Sequence, residues 1–229
     1  MRDARLVVGP PAGVSDVCGA AIVRKSQGMS SLVDQVLDKR VPLEQLDRSC
    51  VRWLVSHRRP YLDPIFIVGS HGGQFGIPWA ALLLILRSRA RGGTRIAPLR
   101  VLGVTVGTWA AAHLAKRADH RSRPCQRGDA EPLTRCPTSS SLPSDEAACA
   151  FAAAVYAAKI LPNLAPILYL GAAYTAASRV YVGAHYPTDV AAGAGLGAAI
   201  AMTLDAIDDR RRGRAESVAH RAPEFGRLR

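Results

Sequence analysis

Apolar positions along this chain come in blocks separated by polar, arginine-rich stretches. From Val41 to His57, Leu43, Leu46, Val51, Leu54 and Val55 recur at helical spacing, with Glu44, Asp47, Arg48 and Arg52 between them. Pro42 suits a first helical turn. This pattern predicts a short amphipathic helix that lies at a membrane surface or caps a bundle. Asp63–Leu86 is the first stretch with the character of a membrane span. Its second half, Trp79–Leu86, is strongly apolar, while Ser70, His71, Gly72, Gly73 and Gln74 suit helix packing or a site-facing surface. His71 is expected to pack or to support a site, not to catalyse. Val101–Ala115 is a second apolar run, short of the roughly 20 residues a bilayer needs, so Arg100 and Lys116 are expected to snorkel at its ends. Ala147–Ile160, Leu164–Ala177 and Val190–Ile207 follow, with a tight turn at Pro162-Asn163 and a small-residue packing face at Gly193 and Gly197. The predicted fold class is all-α, a polytopic membrane helix bundle of about five to six transmembrane helices.

The polar stretches set the domain plan. Residues 1–40 are interrupted by Pro10, Pro11 and Asp16 and lack a clean apolar core, so they are expected to be a disordered tail and not a signal peptide. A start at Met29 is the alternative. Residues 41–209 form the membrane domain. Residues 210–229, with Arg210, Arg211, Arg212 and Arg214, form a basic tail expected in the cytoplasm. Arg87, Arg89, Arg91, Arg95 and Arg100 make a basic loop on that same side. Lys116, Arg123, Ser144 and Ser178–Asp189 then share the extracytoplasmic face. One conflict stands: with five spans the N-terminal segment falls outside, although Arg48, Arg52, Arg58 and Arg59 are basic.

Composition narrows the class. Of 229 residues 48% are hydrophobic, yet mean hydropathy is only +0.06, so the apolar content is segregated. The net charge of +12 would suit nucleic acid, but no aromatic-basic interleaving accompanies it. The arginines flank apolar runs instead, which predicts a membrane partner and no nucleic acid. The five cysteines form no C-x-x-C pair and have no histidine partners at zinc spacing, so no metal site is expected. Cys125 and Cys136 bracket a polar loop, Cys125–Ser141, and can pair if it faces an oxidising compartment.

The candidate chemistry centres on Ser178–Asp189, set between apolar runs where charge is costly without partners. Asp189 stands four residues after His185, close enough to hold one tautomer and leave the other ring nitrogen free to attack. Arg179 offers a planar fork for phosphate oxygens. A loop with a His-Asp hydrogen bond and a snorkelling arginine fits the same residues. Upstream, Lys116 is followed after six residues by Arg123-Pro124, and Pro143-Ser144-Asp145-Glu146 opens an apolar run. Ser144 there has the features of an ordinary N-cap, and a helix N-terminus is a natural phosphate seat.

These three blocks, in this order, resemble the type 2 phosphatidic-acid phosphatase superfamily. Its signature is Lys, six residues, Arg-Pro; then Pro-Ser-Gly-His; then Ser-Arg, five residues, His, three residues, Asp. The first and third blocks match at every defining position, and the second departs, with Asp145 for Gly and Glu146 for His. The resemblance covers roughly Asp63 to Asp208. It implies a membrane enzyme without cofactor or metal that removes phosphate from a lipid. It further implies that His185 attacks phosphorus, that Asp189 orients its imidazole, and that a phosphohistidine forms and is hydrolysed. Lys116, Arg123, Ser144, Asp145 and Arg179 would bind the phosphoryl group, and Glu146 would stand where the family's His protonates the leaving group. A diphosphate expels a phosphate monoester, which leaves readily without that proton, so Glu146 points to a lipid diphosphate, such as a polyprenyl diphosphate, over a monophosphate. Glu146 also motivates a catalytically impaired relative acting as a membrane binding or scaffold protein. A phosphatidate or phosphatidylglycerophosphate phosphatase is a further alternative. A vanadate-dependent haloperoxidase shares the anion site, but the apolar runs argue against it. His120, inside the first block, is expected to be a solvated loop residue.

Overall fold

The computed structural model describes residues 42–75 and 97–221, together with Ile85 and Ser88. The 1–40 tail, Trp79–Leu84 and most of the basic loop lie outside the described residues. Two compact units are distinguished, Met1–Leu46 and Asp47–Arg229. Only residues 42–46 of the first are described, as the opening of helix α1 (residues 42–56). The second unit holds the rest of α1 and every later helix.

Every element among the described residues is helical. After α1 come α2 (Asp63–Phe75), α3 (Ala97–Ala118), a single turn α4 (Pro124–Arg127), α5 (Asp145–Ile160), a 3-10 turn (Pro162–Leu164), α6 (Ala165–Tyr181) and α7 (Pro187–Arg221). Alanine-rich α5 is the hub and packs against α3, α6 and α7. Ala147, Ala148, Ala150, Ala152, Ala153, Ala154 and Ala157 are fully buried along it. Small side chains bury little area each, so cohesion depends on close backbone approach. A Cβ added at Gly193 of α7 would stand 2.2 Å from the Ser144 carbonyl oxygen, and one at Gly197 2.0 Å from that of Ala148. The expected small-residue face is therefore the contact that sets α7 against the start of α5.

Leu99, Leu102, Val106, Trp109 and Leu114 on α3, Ile167 and Leu170 on α6, and Met202 and Leu204 on α7 point outward. An apolar exterior around a closely packed core suits a bundle set in lipid. By length and composition, one described helix carries a stretch able to cross a membrane, Pro187–Arg211 of α7.

Several boundaries differ from expectation. The short Val101–Ala115 run is part of a 22-residue helix. Arg100 sits inside that helix and pairs with Asp208 at 3.4 Å, where a loop position was expected. The last helix does not stop at Ile207 but continues through Arg210–Arg214 to Arg221, because charged side chains sustain a helix and no proline interrupts before Pro223. The Cys125–Ser141 loop opens on the helical turn α4, started by Pro124 and closed by Gly128 in a left-handed conformation, φ 75°.

Candidate active site

Three separate stretches converge at the end of the bundle where α5 begins. The first is the segment leaving α3, with Arg121 and Arg123. The second is the α5 N-terminus, where Ser144 accepts from the Ala147 amide and so caps the helix as expected. The third is the turn from α6 to α7. There the amides of Ala184 and His185 donate back to the Arg179 carbonyl, at 3.1 and 3.2 Å. Gly183 takes φ 81°, which side chains rarely adopt, and this reversal sets His185 beside Arg179. The Ser144 amide donates to the Asp189 carbonyl at 3.0 Å, tying the second stretch to the third.

His185 is fully buried. Arg123 Nη1 lies 2.8 Å from its Nε2. A guanidinium has only donors, so this contact assigns the lone pair to Nε2 and the proton to Nδ1. Nδ1 faces Asp189 Oδ2 at 3.8 Å, beyond hydrogen-bond distance, and is buried without a hydrogen-bond partner among the described residues. Asp189 is itself firmly held. Its Oδ2 accepts from the Tyr186 amide at 2.8 Å and from the Ser141 hydroxyl, and its Oδ1 accepts from Arg121 Nη1 at 2.6 Å.

Arg123 is fixed from both sides, donating to the carbonyls of Ser139 (2.9 Å), Ser140 (3.1 Å) and Ala184 (3.0 Å). Burial lowers its pKa, and the repulsion from Arg179 adds to this against the pull of Glu146. Arg179 donates through Nη1 to Ser70 of α2 at 2.5 Å and pairs through Nη2 with Glu146 Oε1 at 2.8 Å. Glu146 Oε2 lies 3.4 Å from His185 Nε2 and 3.3 Å from the Ser144 hydroxyl, which donates to it. Lys116 and Asp145 pair with each other at 2.5 Å.

Donor atoms of Asp145, Glu146 and His185 lie within 4.8 Å of one another. Each already meets a cation: Lys116, Arg179 and Arg123 respectively. Three positive side chains thus surround this carboxylate-histidine cluster.

A family model described as the PAP2 superfamily matches residues 97–212, half of the chain. The chain belongs to the PAP2 superfamily. A search of curated protein sequences gave no match. Among solved structures, the chain is similar to a transmembrane PAP2-type phosphatidylglycerolphosphate phosphatase from Bacillus subtilis. That likeness has 25% identity and a TM-score of 0.59, and covers 74% of this chain and 87% of that one. LpxE from Aquifex aeolicus shares the fold, with 24% identity, a TM-score of 0.56, and 68% and 92% covered.

Of the PAP2 motif residues named from the sequence, the structure brings Arg123, Ser144, Glu146, Arg179, His185 and Asp189 into one cluster. Lys116 and Asp145 engage each other beside it. His120 is exposed in the loop, as expected. His71 is exposed on α2, and the α2 residue that reaches the cluster is its neighbour Ser70.

Sequence reading missed Arg121, Asp47 and Ser141. Arg121 bridges Asp189 and Asp47, the latter at 2.5 Å, and its guanidinium lies 4.7 Å from the Tyr186 ring centroid. Its place inside the first PAP2 block was the available signal. Asp47 has none, being one of several charges on α1. It is 2% exposed and accepts from the amide and the hydroxyl of Thr188. The amphipathic helix α1 is thus tied to the start of α7. A second tie runs through Asp129, which accepts from Arg52 Nη2 at 2.6 Å and from the Tyr186 hydroxyl at 2.7 Å. Cys125 and Cys136 are joined in a disulfide at the base of the same loop.

Proposed function

We propose that this protein is a membrane lipid phosphatase that acts on the phosphate end of a lipid, with preference for a diphosphate, through a phosphohistidine on His185. The observation that carries this reading is the Arg123–His185 contact. It assigns the lone pair to Nε2, and that nitrogen lies beside the Glu146–Arg179 pair at a helix N-terminus. Nε2 attacks phosphorus, the Nε2–P bond forms, and the P–O bond to the lipid-bearing group breaks. Water then attacks the phosphohistidine, releasing phosphate and restoring the imidazole. Arg123, Arg179, the Ser144 hydroxyl and the first amides of α5 stabilise charge on the transferring group, which is most of what phosphoryl transfer needs. Asp189 balances the proton held on Nδ1. Family membership and the Bacillus phosphatase likeness support hydrolysis of a lipid phosphate. The outward apolar faces support a multi-pass bundle. The disulfide supports a site on the extracytoplasmic, oxidising face.

The test is phosphate release by the detergent-solubilised protein across prenyl diphosphates, prenyl monophosphates, phosphatidate and phosphatidylglycerophosphate, in wild type and His185→Ala. The His185→Ala variant, folded by gel filtration, is expected to release none. Substantial release by that variant would rule out the covalent route. One observation favours a second reading, a catalytically impaired member that binds without turnover: the Glu146 carboxylate contacts both Arg179 and His185. Absence of release from every substrate would favour it.

A further inference from the structure

Glu146 does more than replace a histidine. Its Oε1 takes Arg179 at 2.8 Å, and its Oε2 takes the Ser144 hydroxyl at 3.3 Å and lies 3.4 Å from His185 Nε2. Those three partners are the cation, the hydroxyl and the nucleophile that a phosphoryl group would meet. We infer that the Glu146 carboxylate is the resident anion of the phosphate seat, and that phosphoryl ends enter by exchanging with it. This rests on the proposed phosphatase reading and adds a competition at the binding step, apart from any leaving-group effect.

Two features support exchange over simple neighbourhood. Asp145, the adjacent carboxylate, is engaged by Lys116 and His113, so of the two acids Glu146 is the one that takes Arg179 and the Ser144 hydroxyl. The seat also holds a donor that the carboxylate leaves unused. Arg179 is 2% exposed, and its Nε is buried without a hydrogen-bond partner among the described residues. A carboxylate has two oxygens and both are engaged, whereas a phosphoryl end brings three.

The charge consequence follows from Coulomb's law. Arg179 is already neutralised, so an entering monoanion replaces one negative charge by another and gains little. A dianionic monoester end gains one charge on exchange, and a diphosphate end gains more. Low dielectric around these buried groups enlarges the difference.

Binding of inorganic phosphate and pyrophosphate to the solubilised full chain, measured by calorimetry with recovery of intact pyrophosphate checked afterwards, tests this. Three proteins are compared: wild type, Glu146→Gln and Glu146→Asp. Wild type is expected to bind pyrophosphate more tightly than phosphate. Glu146→Gln removes the resident charge and should tighten both ligands, phosphate by about tenfold. Glu146→Asp keeps the charge but shortens the reach, and should behave like Glu146→Gln. Phosphate affinity unchanged, weakened or unmeasurable in Glu146→Gln would overturn exchange. So would Glu146→Asp matching wild type while Glu146→Gln gains, since the charge would then act from a distance. Tightened phosphate binding in both variants without turnover of any lipid would support exchange and defeat the hydrolytic reading. Turnover by wild type with no gain in either variant would overturn exchange alone.

Discussion

Arg121 Nη1 lies 2.6 Å from Asp189 Oδ1 while its Nη2 lies 2.5 Å from Asp47 Oδ2, so one guanidinium joins the acid beside His185 to an acid on α1. Burial pushes the Arg121 pKa down, and the two carboxylates more than offset it, holding it above the ordinary arginine value. On the proposed mechanism Arg121 is a positioning residue, acting on His185 through Asp189. Arg121→Ala leaves two buried carboxylates facing each other, a change of the kind that costs about 3–5 kcal/mol. Arg121→Lys keeps the charge but loses the two-sided fork. For Arg121→Lys, kcat should fall about 10–100-fold with KM within about threefold of wild type, the split expected when orientation and not binding is lost. A change confined to KM would refute the positioning role.

A second expectation concerns pH and the α1 docking. Burial raises the Asp129 pKa, but the hydrogen bonds from Tyr186 and Arg52 outweigh it and hold the carboxyl below its ordinary value. A carboxylate depressed on folding stabilises fully above its unfolded pKa of about 3.9, and the contribution disappears as pH falls through the lower folded value. Asp129→Asn should thus be less stable than wild type at pH 7 by a margin that stays constant down to about pH 5 and closes in more acid solution. Thermal unfolding of both proteins across that range measures it. A margin that widens on acidification would contradict the assigned sign.

The disulfide gives a third. Cys125 and Cys136 are separated by 11 positions, and a closed loop of that size is worth about 2–3 kcal/mol. Intact mass before and after reduction and alkylation should show one pair, and peptide mapping should place it at these two residues. Reduced protein should melt at lower temperature. Unpaired Cys125 in protein isolated without reductant would overturn the assignment.

The leaving group supplies the fourth. A monoester must expel an alkoxide, which benefits from general acid help of about 10²–10⁴-fold, while a diphosphate expels a phosphate monoester that leaves readily. With Glu146 paired to Arg179, wild type should show higher kcat/KM for a prenyl diphosphate than for the matched monophosphate. Glu146→His should raise monophosphate turnover more than diphosphate turnover. Equal or better use of the monophosphate by wild type would defeat this.

Local physics made much of the fold readable. The cap at Ser144 and the apolar runs of α3, α5, α6 and α7 are written in adjacent residues. So were the cluster members Arg123, Arg179, His185 and Asp189, because their spacings carry chemistry. Asp47 could not be read in the same way. On α1 it looks like Glu44 or Arg48, and only the fold brings it to Thr188 and Arg121. The mutual pairing of Lys116 with Asp145 was hidden for a related reason. Both were expected to face a phosphoryl group, but opposite charges at the ends of α3 and α5 meet first. The helix ends at Ala118 and Arg221 were misjudged because apolar pattern marks the span of a helix, while helix propensity sets where it stops.

The close approach of Gly193 and Gly197 to α5 has a consequence for how relatives of this protein should be judged. A methyl group at Gly193 would collide with the carbonyl of Ser144, the residue that caps α5 and whose own amide reaches Asp189. Any relief would move the α5 start, and Glu146 with it, away from His185 and Arg179. Every motif residue would still be present. Two relatives with the same reactive side chains can therefore differ in competence through a single hydrogen-for-methyl exchange outside every motif, so a survey for working enzymes must score the spacing of the helices as well as the signatures they carry.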